Sequence, residues 1–330
     1  MAAEHTLHSH AFPTENDLAE ARQRIDRHVY RTPLVACDGV AELAGVREVR
    51  LKCENLQRTG SFKIRGALNA VLSLEAERRI GPGGLVTYSS GNHGQAVAWA
   101  ARAVGVPATI VVPEDVSPAK EKAMAHLGAT IIRAGRTSDD RHSRALGVAS
   151  ELKAEIIPPF DDPRIVAGQS TVGEEIIADD ADAEIILVPV GGGGLAAGVA
   201  LAVAYARDRG LTAARIIAVE PVGADSLRRS LAAGEPVSLT EAPKTIADGL
   251  RPLRVCDLPF AIAREHIDEV LLVDDDAIRA TRRLILERAK LFVEPSGAAA
   301  LAGLLSHSRR FSGKRVVAVL SGGNAPTPEL

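Results

Sequence analysis

Cys53-Glu54-Asn55-Leu56-Gln57-Arg58-Thr59-Gly60-Ser61-Phe62-Lys63-Ile64-Arg65-Gly66-Ala67 changes period in its middle. Val49, Leu51 and Cys53 alternate as in a half-buried strand, whereas Ile64, Ala67, Leu68, Val71 and Leu72 recur at helical spacing. A strand therefore hands over to a helix. Thr59, Gly60 and Ser61 supply the break, and either hydroxyl residue is placed to cap the helix, which sets Lys63 in its first turn. The positive end of a helix dipole disfavours an ammonium by up to about 2 kcal/mol in partly buried geometries, so a lysine there is biased toward the free amine. A free amine is a nucleophile. One reading is a Schiff-base lysine, and the other is a solvated lysine that happens to begin a helix.

Outward from this stretch the pattern alternates regularly. A helix is predicted over about 15–30, with Leu18, Ala21, Ile25 and Val29 on one side and Thr32-Pro33 as the stop. Strands are predicted at 85–89, 108–112, 130–133 and 155–157, with helices over 95–104, 119–127 and 139–152 between them. A second series has a helix over 172–178, a strand at 184–190, a helix over 195–207, a strand at 215–219 and a short helix after Gly223. The stretch 234–264 is less regular. A strand at 269–273, helices over 276–289 and from about 296, and a strand at 315–320 close the chain. Such repetition means parallel sheets covered by helices, and two doubly wound α/β units with a ligand in the cleft between them are the simplest packing.

The 330 residues are 46% hydrophobic, enough for a large core and about two domains. A net charge of −3 and a pI near 6.3 offer no special field to nucleic acid or an anionic membrane. Cys37, Cys53 and Cys256 are odd in number and far apart, which suits a reduced cytoplasm and argues against a thiolate metal site. His5, His8 and His10 are read as part of a frayed terminus, and the first ten residues lack the apolar core of a signal peptide. Residues 185–206 carry no charge over a membrane-spanning length. Pro189 and four consecutive glycines make a strand, a tight loop and a buried helix the better reading.

Four loops are placed to share a ligand. Gly191-Gly192-Gly193-Gly194-Leu195 sits between a strand and an apolar helix, where free amides and a helix N-terminus make a phosphate cradle. A dinucleotide fold is a rival, because Gly192, Gly194 and Ala197 fit that fingerprint and Glu220 falls near the place of the ribose-binding acid. Ser89-Ser90-Gly91-Asn92-His93-Gly94 offers a second helix N-terminus suited to a carboxylate, unless Asn92 simply caps the helix and Ser90 turns the chain. Ser321-Gly322-Gly323-Asn324 follows the last strand and offers one neutral hydrogen bond through Ser321. Glu294-Pro295-Ser296-Gly297 lies behind the ligand or merely caps the next helix.

In order, Ser61-Phe62-Lys63-Ile64-Arg65-Gly66-Ala67, Ser90-Gly91-Asn92-His93-Gly94, the glycine tetrad and Ser321-Gly322-Gly323-Asn324 resemble the threonine dehydratase and serine racemase family, fold type II pyridoxal phosphate enzymes akin to the tryptophan synthase β chain. The match runs from about Arg31 to Asn324. The resemblance implies a large domain of residues 1–80 plus 162–330 that binds pyridoxal 5'-phosphate and a small inserted α/β domain of residues 81–161. It implies that Lys63 holds the cofactor and takes the substrate's α-proton, and that Gly191, Gly192, Gly193, Gly194 and Leu195 bind the phosphate. Phe62 would pack beside the ring, Asn92 would meet its hydroxyl and Ser321 its nitrogen. Ser89, Ser90, Gly91, Asn92 and His93 would hold the substrate carboxylate. A neutral partner at the ring nitrogen favours elimination over transamination. The implied reaction removes water from a β-hydroxy amino acid such as L-threonine or L-serine and yields a 2-oxo acid and ammonia.

Ser90 matches the racemase-like members, on the face opposite the lysine, so Ser90 is a second implied catalytic residue, and racemisation or threo-3-hydroxyaspartate dehydration is the near alternative. A nicotinamide-dependent oxidoreductase is the distant one. Ala167-Gly168-Gln169-Ser170-Thr171 and Phe160 depart from the family pattern, and both bear on substrate preference. Glu220 matches the family's divalent-metal segment, but Ser226 replaces the second acid, so no metal is assigned. The chain ends soon after Asn324, which implies an enzyme without an amino-acid feedback domain. A cytoplasmic homodimer or homotetramer with a small amino acid substrate is the expected form.

Overall fold

The computed structural model describes residues 11–89, 91–135 and 138–326. His5, His8, His10 and Ser90 therefore lie outside the described residues. In chain order the first half comprises α1 (Glu15–Ile25), β1 (Leu34–Ala36), α2 (Asp38–Ala44), β2 (Glu48–Lys52), α3 (Lys63–Ala76), β3 (Leu85–Tyr88), α4 (Asn92–Val104), β4 (Ala108–Val112), α5 (Pro118–His126), β5 (Thr130–Arg133), α6 (Ser138–Leu152) and β6 (Glu155–Ile156). The second half comprises α7 (Pro163–Asp179), β7 (Ile185–Pro189), α8 (Gly194–Asp208), β8 (Arg215–Pro221), α9 (Ser226–Ala233), α10 (Asp257–His266), β9 (Glu269–Val273), α11 (Asp275–Leu284), α12 (Pro295–Ser306) and β10 (Arg315–Val319).

The strands form two sheets. One has the order β1-β2-β10-β7-β8-β9 and the other β5-β4-β3-β6. Every pairing is parallel except β1 with β2. In the larger sheet β10 lies between β2 and β7, with Val316 opposite both Val49 and Ile185. The turns that leave the carboxyl ends of these three neighbours therefore gather at one edge, where open α/β sheets bind ligands. The uncharged stretch 185–206 is β7, a glycine turn and α8, and no helix among the described residues is long and apolar enough to cross a membrane.

Helix boundaries depart from expectation where tertiary contacts replace local ones. Thr14 and Asp17 close a capping box at the start of α1, but α1 stops at Ile25 rather than Tyr30. The side chain of Gln57 takes both the amide and the carbonyl of Tyr30, at 2.9 and 2.7 Å, in place of helical partners. α7 begins nine residues before the predicted Val172, with Asp162 as its cap and Pro163 in its first turn. Gly168, Ser170, Thr171 and Gly173 read as poor helix formers. Here they let helices approach: a Cβ on Gly168 would lie 2.5 Å from the Gly66 Cα of α3, and one on Gly173 2.9 Å from Ala202 of α8. The Ser170 and Thr171 hydroxyls bond carbonyls one turn back, at 2.6 and 2.7 Å. β1, α2 and α10 lie outside the elements expected from periodicity. α11 runs into a single π turn at Ile285–Ala289 and ends at Lys290 in the left-handed region.

Candidate active site

The turn before α3 is tied to the turn after β10. Phe62 donates its amide to Ser321 O at 3.2 Å, Gly323 donates to Gly60 O at 2.8 Å, and Ser61 pairs with Gly322. Gly60 sits at φ +73, and a Cβ there would lie 2.3 Å from Asn324 Oδ1, so no larger residue fits. This pairing corrects the expected capping. The cap position of α3 is Phe62, in helical geometry, and neither Thr59 nor Ser61 caps it. Both hydroxyls are buried without a partner among the described residues. Ser61 is held in a bridge and cannot turn to the helix amides.

Lys63 is consequently the first helical residue of α3. Its Nζ donates to Pro159 O at 2.8 Å and stands 5.1 and 5.6 Å from the ring centres of Phe62 and Phe160. The solvated alternative fails on this geometry. Burial lowers the Lys63 pKa to about 8, so about a tenth of the amine is uncharged at pH 7, far more than for an ordinary lysine.

Lys63 opens onto a cavity of about 500 Å³ whose wall also contains Phe62, Ser89, Gly91, Asn92, His93, Gly191, Gly192, Gly193, Gly194, Leu195 and Ser321. The glycine run is required by packing. A Cβ on Gly192 would lie 2.3 Å from the Phe160 ring, and Gly193 has φ +91 with its Cβ position 2.7 Å from Val255 and Pro259. α8 starts at Gly194 with no side-chain cap, which leaves its leading amides for an anion.

Asn92 does not cap α4 either; the cap position is Gly91, and the Ser89 hydroxyl accepts from the Gly91 amide at 3.0 Å. The Asn92 side chain instead bridges distant segments. Its Nδ2 donates to Glu294 Oε1 at 2.7 Å and its Oδ1 accepts from Asn324 Nδ2 at 3.0 Å. His93 places Nε2 3.1 Å from Ile157 O, so that nitrogen carries the proton. Its Nδ1 is buried without a partner among the described residues. Burial, then the charge of Lys63, push its pKa down to about 3, so the imidazole is neutral. Among the described residues Ser321 Oγ has only a long 3.4 Å bond to Ser296 O and retains capacity for a ligand.

Arg141, Lys120 and Asp248 line the wall with no role assigned from sequence, and Phe160 was assigned only a bearing on substrate preference. Phe160 packs on the glycine turn, and Arg141, 9% exposed, lines the same cavity. Lys120 of α5 forms an ion pair with Asp248 across it. Glu294 and Asn324 lay in stretches singled out by sequence, but their partner Asn92 is 202 and 232 positions away, with no local signal to join them.

Glu220 is elsewhere and fully engaged. Its two oxygens accept the amides of Leu227 and Arg228 at 2.8 and 3.0 Å, at the N-terminus of α9. These bonds tie the carboxylate to the start of α9, away from the cavity that Lys63 lines. Among the described residues no group of three or more His, Cys, Asp and Glu side chains is placed to hold a metal.

Lys63, the uncapped glycine turn and the half-engaged Ser321 hydroxyl fit a phosphorylated aldehyde cofactor with a ring nitrogen. Comparison with known proteins agrees. The sequence pattern of the family described as "Pyridoxal-phosphate dependent enzyme" matches residues 25–322. The chain is 39% identical over 314 residues to a serine racemase of Dictyostelium discoideum, covering 94% of each. It is also 39% identical over 313 residues to an L-threo-3-hydroxyaspartate ammonia-lyase of Saccharomyces cerevisiae, covering 94% of this chain and 93% of that one. The crystal structure of a T.th. threonine deaminase superposes with a TM-score of 0.88 at 41% identity, over 96% of this chain and 100% of that one.

Proposed function

Because the chain belongs to the family of pyridoxal-phosphate dependent enzymes, we propose that it is a dehydratase of the ammonia-lyase type, converting a β-hydroxy amino acid such as L-threonine or L-serine to a 2-oxo acid and ammonia. The observation that carries this reading is the desolvated Lys63 amine facing the glycine turn across one cavity.

Pyridoxal 5'-phosphate supplies an aldehyde that condenses with amines and a ring that accepts charge developing at the substrate's α-carbon. The leading amides of α8 with Gly191, Gly192, Gly193, Gly194 and Leu195 would bind the phosphate dianion, and Phe62 would pack beside the ring. Asn92, with its second Nδ2 hydrogen, would donate to the ring hydroxyl, and the Ser321 hydroxyl would meet the ring nitrogen without adding charge. Ser89, Ser90, Gly91, Asn92 and His93 orient the substrate carboxylate. Lys63 would hold the cofactor through its aldehyde and, once released, would be the group that moves the α-proton. The net reaction balances: the β-hydroxyl departs as water, and water returns as the amine is released as ammonia.

A second reading, a threo-3-hydroxyaspartate dehydratase, is favoured by Arg141. A guanidinium in the cavity wall suits a substrate with a second carboxylate. Serine at position 90 keeps racemisation as a side activity of the same site. The reading extends to a homodimer or homotetramer in the cytoplasm, and the three free cysteines support that compartment alone.

The test is a panel of L- and D-serine, L-threonine, threo-3-hydroxyaspartate and phenylserine, assayed for 2-oxo acid and for inversion, with wild type, Lys63→Ala and Arg141→Met. Turnover by wild type and its loss in Lys63→Ala are expected, and Arg141→Met should depress hydroxyaspartate turnover more than threonine turnover if the second reading holds. Ammonia release that survives Lys63→Ala contradicts the proposal.

A further inference from the structure

Glu294 occupies the cap position of α12, but its side chain does not cap that helix. It is 3% exposed and turns into the cavity wall, where Oε1 takes the Nδ2 hydrogen of Asn92 at 2.7 Å. The other end of the same amide is also committed. Asn92 Oδ1 accepts from Asn324 Nδ2, whose remaining hydrogen goes to Thr59 O at 2.8 Å. The Asn92 amide is thus clamped from two sides in a single orientation, with one Nδ2 hydrogen left over.

The clamp contains an ionisable group. Charges that bear on Glu294 come from three other elements: Asp248 from the turn at Asp248–Leu250, Lys120 from α5 and Arg282 from α11. Burial, reinforced by Asp248, pushes the Glu294 pKa up to about 7 against the lowering by Asn92, Lys120 and Arg282. A carboxylate accepts the shared amide hydrogen more strongly than a neutral carboxyl does, and it alone adds negative charge beside the cavity.

We propose that Glu294 is a positioning residue acting through Asn92, its proton occupancy setting how strongly that amide donates to the cofactor's ring hydroxyl and so making the bound cofactor's electronic state depend on pH. The inference rests on the placement of the ring hydroxyl at Asn92 given above. An ionised Glu294 weakens donation from the free Nδ2 hydrogen, and a protonated one restores it.

The experiment follows the absorbance of the bound cofactor from acid to alkaline pH in wild type, Glu294→Gln and Glu294→Asp holoenzyme, with the infrared carbonyl band of protonated carboxyls recorded in the corresponding apoenzymes. Glutamine keeps the acceptor for Asn92 but has no proton to lose. The expected result is a spectral step near neutral pH in wild type, absent in Glu294→Gln and present with a shifted midpoint in Glu294→Asp, together with a carboxyl band titrating over the same range in the wild-type minus Glu294→Gln difference, since burial raises Glu220 to about 7 as well and its band is common to both. The kcat profile should lose the matching limb while KM changes little. An unchanged step in Glu294→Gln, or a bound cofactor with no step in wild type, overturns the proposal. Should Glu294→Gln not fold, the wild-type minus Glu294→Asp difference takes its place, and a difference with no carboxyl titrating near neutral pH overturns it equally. A wild type that binds no cofactor at Lys63 instead overturns the function on which the proposal rests.

Discussion

At the scale of single residues the chemistry concentrates on Lys63, where two influences oppose each other. The faces of Phe62 and Phe160 favour an ammonium, while removal from water favours the amine, and the lowered pKa of about 8 records that desolvation wins. The sign for cofactor capture follows directly. Only the free amine attacks an aldehyde, so the rate at which apoenzyme regains its visible band should rise about tenfold per pH unit below about 8 and level off above it. A rate flat from pH 6 to 8 would mean that the amine is already uncharged throughout. Lys63 was legible because the period of the sequence changes around it. The partners of Asn92 were not, because a side-chain bond spanning 202 positions leaves no mark on local spacing.

At the scale of elements, α3 is held by a buried ionic network that begins two residues after Lys63. The Arg65 guanidinium bonds both oxygens of Glu54 at 2.8 Å and both oxygens of Glu175 in α7 at 2.7 and 2.9 Å, and Lys52 of β2 completes it through Glu175 and Thr32 O. Removing one member strands the opposite charges in a dry interior, so Arg65→Ala should cost roughly 3–5 kcal/mol in denaturant unfolding. A loss under 1 kcal/mol would show that water reaches the network. Burial works to raise the Glu54 carboxyl, yet the charge and bonds of Arg65 hold it below the ordinary value of 4.5. Stability from Glu54 is therefore fully present above about pH 4.5 and is lost as pH falls through the lower folded-state value. The sequence revealed the strands of both sheets that follow Lys63, because their apolar runs are bounded by turn residues. It concealed the first nine residues of α7, whose glycines and hydroxyls serve contacts with α3 and α8 rather than helix propensity.

At the scale of the whole molecule, the cavity is bounded by elements from both sheets. α4 and α5 come from the stretch that carries the smaller sheet, and the glycine turn and Ser321 from the larger one. The Lys120–Asp248 ion pair spans the two sides, with side chains 19% and 33% exposed. Partial exposure limits its strength, so Lys120→Met should raise KM by no more than about fivefold and leave kcat nearly unchanged. A hundredfold fall in kcat would give Lys120 a part in the chemistry. Parallel strands and a ligand at their carboxyl ends were legible from the alternation of periods, but the order β2-β10-β7, which brings residues 60 and 323 together, is set by packing at long range. The most direct measurement is borohydride reduction of the holoenzyme followed by peptide mass mapping. The expected result is bleaching of the visible band with the reduced cofactor carried on Lys63 alone; a label on another lysine, or a visible band that borohydride leaves untouched, would contradict the assignment.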